Sequence, residues 1–128
     1  MMIKFKILVL IGCISICSFS LAADLDYYDS CTAEYEHMNN SIVAGCSEFA
    51  VEKYQKDIEK TLQHIQAQSR KYEQPERYQD ILKAQEVWQN FMEVECQNAG
   101  NYIGSPMYSY CPMQMYKERS QQLAEYVQ

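Results

Sequence analysis

The chain has no stretch that alternates apolar and polar residues in the two-residue period of a strand, so it offers little for a sheet or barrel to be built from. It also has no internal repeat and no low-complexity linker, which leaves no sign of a solenoid or a tethered second domain. Basic residues are scarce, with 11 Lys and Arg against 17 Asp and Glu. That deficit argues against nucleic acid and anionic membrane as partners, and fits either simple solubility or a basic partner. No pair of cysteines has C-x-x-C spacing, and His37 and His64 do not stand at ligand spacing from any cysteine, so zinc is not indicated. There is no nucleophile–base pair, phosphate loop or metal set, and therefore no cofactor and no enzymatic activity is expected. Glu93 and Glu95 lie two residues apart and point to different sides of a helix, so they read as surface and pairing charges. The Glu34-x-Glu36-His37 cluster reads as a solvated helical face.

The N-terminus carries what the rest of the chain lacks, a continuous apolar run. Met1 to Lys6 contains two lysines, Ile7 to Leu21 is almost wholly apolar, and Ser20-Leu21-Ala22 has the small-x-small pattern of a cleavage site. Residues 1–22 are therefore expected to be a secretory signal peptide, with a mature domain over 23–128 in the periplasm or the medium. The run is too short, and too soon followed by DLDYYD, to span a membrane. A rival reading takes Leu10-Ile11-Gly12-Cys13 as a lipobox, which would make an outer-membrane lipoprotein anchored through Cys13. Ordinary cleavage is favoured, because the apolar run continues past Cys13 to Leu21. Without Lys4 and Lys6, nine basic residues face the same 17 acidic ones, a net charge of −8.

What remains reads as helix nearly throughout. Ile42, Cys46, Phe49, Ala50, Tyr54, Ile58, Leu62 and Ile65 mark one apolar stripe, with Asn39-Asn40-Ser41 as candidate caps before it. A helix over about 41–70 is expected, followed by a break at 71–76 with Pro75 in the first turn of the next helix. That second helix carries Tyr78, Ile81, Leu82, Gln85, Trp88, Phe91 and Met92, and Gly100 is expected to stop it. Pro112 is expected to start a short third helix along Met113, Tyr116, Arg119, Leu123 and Tyr126. Asp29 to Met38 holds a short helical turn. The fold class is all-α: an antiparallel hairpin with a third helix packed on it.

Four cysteines belong to this domain: Cys31, Cys46, Cys96 and Cys111. An even number in a small exported domain reads as two disulfides. Folding the hairpin brings all four to one end. The equal 15-residue gaps favour Cys31–Cys46 with Cys96–Cys111, while the register also permits Cys46–Cys96 with Cys31–Cys111.

Gln85, Trp88, Phe91 and Cys96, followed by Cys111, Arg119 and Leu123, resemble the LprI-type lysozyme inhibitors, small exported helical proteins. Cys31 and Cys46 fit the leading cysteine pair of that family. The chain departs from the pattern at Met92, where an arginine is usual, and at Ile58-Glu59, where a Leu-Asn pair is usual. The resemblance implies a non-enzymatic inhibitor with lysozyme as partner. The alternative is a non-inhibitory interaction or structural protein of the envelope on the same scaffold. Gln85, Trp88, Phe91, Arg119 and Leu123 are read as structural core, with Arg119 able to pair with Glu95.

One segment has a composition that core packing and solubility do not demand. Residues 97–110, QNAGNYIGSPMYSY, carry no charge and hold three tyrosines. Tyrosine, serine, glycine and asparagine are the residues of binding loops, because tyrosine presents a large contact area with few torsions to freeze. Read as a loop, the segment offers Tyr102 and Tyr108, with Asn101 and Ser105, as partner-binding residues. Tyr110 is expected to pack on the adjoining disulfide.

Overall fold

The computed structural model describes residues 26–127. The expected signal peptide and Cys13 lie outside these residues. Four helices follow in order: α1 (Tyr27–Thr32), α2 (Asn40–Lys71), α3 (Pro75–Tyr102) and α4 (Met107–Ala124). Among the described residues there is no strand, and no helix is long and apolar enough to cross a membrane.

Local chemistry sets most of the boundaries. Asn39 adopts extended backbone and its side chain accepts a hydrogen bond from the Ile42 N–H at 3.0 Å, which caps α2. At the other end the chain turns through a six-to-one bond from Gln74 N–H to the Ser69 carbonyl at 2.8 Å and a second from Glu73 N–H to the Arg70 carbonyl. This is a Schellman stop, with Glu73 (φ 56°) in the left-handed position usually given to glycine. Pro75 then opens α3, where its missing N–H costs nothing. The short reversal makes α2 and α3 antiparallel. The connection 103–106 reverses the chain again, so α4 runs antiparallel to α3 and parallel to α2. At the far end, Arg77 donates to the Tyr126 carbonyl and ties α4 back to the start of α3.

Three boundaries differ from the sequence expectation. Gly100 does not stop the second helix, which runs on to Tyr102, and Gly104 (φ +102°) takes the turn instead. Pro112 does not start the last helix either. Pro106 stands at its N-cap, and Pro112 sits inside α4, forgoing the bond its N–H would have made to the Tyr108 carbonyl. The expected turn within 29–38 is confined to α1, which starts earlier, at Tyr27.

The core forms where α4 lies along α2, with α3 closing one side and α1 capping the first half of α2. Ala50, Tyr54, Ile58 and Ile65 from α2 meet Ile81 and Met92 from α3 and Met113, Tyr116 and Leu123 from α4. The pairing of cysteines is Cys31–Cys46 and Cys96–Cys111, with Cα separations of 5.5 and 5.4 Å. The first bridge ties α1 to α2 and the second ties α3 to α4. Both lie at the end of the hairpin away from the 72–74 turn.

The N-terminal segment is clamped to two helices. The Tyr27 hydroxyl donates to Asp57 at 2.8 Å, its ring meets Tyr54 edge-on at 5.1 Å, and Asp26 pairs with Lys117 of α4. Burial pushes the Asp26 carboxyl up, but the Asp29 backbone N–H and Lys117 more than offset this and hold it below the usual carboxylate range. A depressed carboxylate stabilises the fold above its unfolded pKa and loses that stabilisation as pH falls through the folded one. Lys117→Met should therefore cost about 0.5 kcal/mol at pH 7, the typical worth of a half-exposed pair. Urea titrations of parent and variant should converge as pH falls below about 4, where an ordinary aspartate takes up its proton. A constant gap down to pH 2 would mean that the difference does not come from the charge pair with Asp26.

Candidate functional site

The segment 97–110 is not a loop over most of its length. Residues 97–102 form the last turns of α3, 107–110 form the first turn of α4, and only 103–106 connect them. The uncharged stretch is therefore the rigid tip of a helical hairpin, and the Cys96–Cys111 bridge closes its base. Helical backbone and a covalent clasp limit the freedom that a binding surface would lose on contact.

Gly100 explains why the tip is tight. It is buried, and a Cβ placed there would stand 2.2 Å from the Tyr108 ring. The ring of Tyr108 thus packs directly against the α3 backbone, where only glycine leaves room. Its hydroxyl donates to Asn101 Oδ1 at 2.9 Å, and the same oxygen accepts from Gln97 Nε2 at 3.1 Å. Tyr108 is nonetheless 54% exposed, so part of the side chain remains available.

Four residues were expected to form the contact surface, and the structure places all of them at this tip. Tyr102 projects furthest, 85% exposed, and its neighbour Ile103 is 74% exposed. Ser105 is exposed in the connection. Asn101 is exposed too, but its side-chain oxygen is occupied by Tyr108 and Gln97, which makes it a brace. Tyr110, expected to pack on the adjoining disulfide, makes a contact with α1 that the sequence did not indicate. Its ring packs edge-on against Tyr28 of α1 at 5.5 Å, and the neighbouring Ser109 hydroxyl reaches Glu48 of α2 at 3.4 Å. Ile103 was absent from the expected set, which was chosen for tyrosine and small polar residues.

The residues expected in the core divide. Leu123 is fully buried. Trp88 is half-buried between α3 and α4, edge-on to Tyr116 at 5.2 Å, with the Arg119 guanidinium 5.8 Å from its ring centre. Arg119 Nε donates to Gln85 Oε1 at 2.7 Å, and burial pushes its guanidinium below the ordinary value. The partner of Arg119 is thus Gln85, supported by Gln122, and not Glu95, which is exposed. Phe91 is not core: it is 57% exposed, and Met92 beside it is buried in its place. One residue step on a helix is 100°, and here that step turns Met92 inward and Phe91 outward. Phe49 is likewise 43% exposed, beneath Lys53, although its spacing put it on the buried stripe.

Among the described residues, no three side chains of His, Cys, Asp or Glu come together to hold a metal ion. What the tip can do is offer shape: a rigid, uncharged, aromatic projection on an acidic body. In comparison with known proteins, the model of the family described as "Lysozyme inhibitor LprI" matches residues 31–123. No curated protein and no solved structure matches the chain.

Proposed function

Because the chain belongs to the LprI lysozyme-inhibitor family, we propose that it is exported through residues 1–22 and inhibits a basic lysozyme by inserting the α3–α4 tip into the substrate cleft. The observation that carries this reading is the family match, which runs from Cys31 of α1 to Leu123 of α4 and so takes in both disulfides and the whole tip. The physics is compatible with it. Lysozymes are commonly basic, and glycoside hydrolases work with a pair of carboxylates in the cleft. An acidic body is drawn to a basic enzyme, but an acidic probe would be repelled by the catalytic pair. A charge-free tip on a body of net charge −8 (nine Lys and Arg against 17 Asp and Glu after residue 22) meets both demands. Tyr102 and Ile103 would enter first, with Tyr108 and Ser105 as flanking contacts and Asn101 holding the Tyr108 ring in place. Inhibition then needs no chemistry, only occupation of the space that the glycan would fill.

Association rates test the electrostatic half of this reading. With a basic lysozyme, stopped-flow association should slow by about tenfold or more between low salt and physiological salt, since the screening length falls to about 8 Å. The dissociation rate should change far less. An association rate indifferent to salt would mean that the acidity of the body serves solubility alone.

A further inference from the structure

The end of the bundle away from the disulfides holds a cavity that the tip does not use. The chain has three arginines, Arg70, Arg77 and Arg119, and two of them line one cavity of about 320 Å³ between the start of α3 and the end of α4. Arg77, Asp80, Ile81 and Ala84 recur every three or four residues and so share one face of α3, while Arg119 and Tyr126 close the cavity from α4 and the segment after it. Most of the lining is apolar. The cavity lies about 30 Å along α3 from Tyr102.

Neither guanidinium has an anionic partner. Arg77 donates to the Tyr126 carbonyl, and Arg119 donates to the side-chain oxygens of Gln85 at 2.7 Å and Gln122 at 3.2 Å. Among the described residues the one ion pair is Asp26–Lys117. A partly buried cation ordinarily takes a carboxylate, and the chain has 17 Asp and Glu to supply one. Here neutral oxygens orient both guanidiniums without neutralising them, and each keeps N–H donors to spare. The forked donors of arginine match a carboxylate through two parallel bonds. Because both side chains are already tied down, little freedom is lost when they bind. Asp80 is the acidic residue of the lining, exposed and not paired with Arg77. Its charge disfavours an ion with two or more negative charges, and the apolar lining disfavours a bare inorganic one. The volume stands at the lower end of small-molecule sites.

We propose that this cleft between α3 and α4 binds a small organic acid that has a single carboxylate and an apolar body. The carboxylate meets Arg77 and Arg119, and the body rests on Ile81, Ala84 and Tyr126. The site is independent of the lysozyme reading and gives the end of the domain opposite the tip a ligand of its own.

Benzoate is the probe, titrated into an isotope-labelled protein comprising residues 23–128 and followed by NMR. Benzamide serves as its uncharged match and inorganic phosphate as the bare anion. Benzoate should shift the backbone amides of residues 77–85 and 119–126 and saturate with a Kd of about 1 mM or tighter, the range open to so small a ligand. Benzamide and phosphate should bind about tenfold more weakly or worse. Arg77→Gln removes one cation, and Ala84→Glu sets a carboxylate into the lining at an exposed helical position. Each should weaken benzoate by about tenfold or more. Ala84→Glu disturbs no buried packing, so it keeps the test decisive if Arg77→Gln loosens the end of α4. The proposal is overturned if benzoate gives no saturable shift, or if Ala84→Glu leaves its binding unchanged. It is overturned equally if benzamide binds as well as benzoate, which would make the cavity merely apolar, or if phosphate does, which would make it a plain anion site.

Discussion

Replacing Cys96 and Cys111 together with alanine should lower the stability of the domain by about 3 kcal/mol, the chain-entropy value for a closed loop of 15 residues. A domain of this size has about 5–15 kcal/mol in all, so the loss is a large fraction. The effect should exceed that of removing Cys31 and Cys46, although the two loops are equally long. The reason lies in what else holds each element. Without its disulfide, α1 still has the Tyr27–Asp57 bond, the Tyr27–Tyr54 contact, the Tyr28–Tyr110 contact and the Asp26–Lys117 pair. At the base of the tip, α3 is otherwise held to α4 by Tyr108 on Gly100 and its bond to Asn101, while the Ser109–Glu48 and Tyr110–Tyr28 contacts tie α4 to α2 and α1 rather than to α3. Urea unfolding followed by circular dichroism gives both numbers. A loss under 1 kcal/mol for the Cys96/Cys111 variant would show that helix packing alone sets the tip.

Truncating Tyr102 to alanine should weaken lysozyme inhibition by about thirtyfold or more, the scale of an interface anchor. It should leave the melting temperature unchanged, since an 85% exposed ring contributes little to the fold. Tyr108→Ala should behave differently. Its ring covers Gly100 and its hydroxyl holds Asn101, so removal should weaken inhibition and lower the melting temperature together. The contrast separates recognition from support. If both variants inhibit normally, the contact is not at the tip. If Tyr102→Ala also melts early, the absence of charge in 97–110 concerns packing.

Much of this architecture was legible in the residues. The stripe from Cys46 to Ile65, the Asn39 cap and Pro75 placed α2 and the start of α3 to within a residue or so. The equal cysteine gaps favoured the pairing that forms. The misreadings cluster where one signal had two possible owners. Gly100 and Gly104 lie four residues apart, as stop signals both plausible, and the Tyr108 ring decides between them by needing the first for packing. Pro106 and Pro112 compete in the same way for the start of α4. Phe91 and Met92 are adjacent apolar residues, and spacing alone does not say which faces α4. Calling 97–110 a loop followed from its glycines, proline and lack of charge. Those features belong instead to a helical tip whose ends are fixed by a disulfide. Glu73 in a left-handed turn had no signature at all, since glycine is the usual mark of that position.

The most direct test of the account is a titration of a protein comprising residues 23–128 against a panel of basic lysozymes, with peptidoglycan hydrolysis as the readout. The account predicts stoichiometric inhibition of at least one enzyme in the panel, reversed by Tyr102→Ala. Full hydrolysis by every lysozyme at saturating concentrations of folded, disulfide-bonded protein would contradict it.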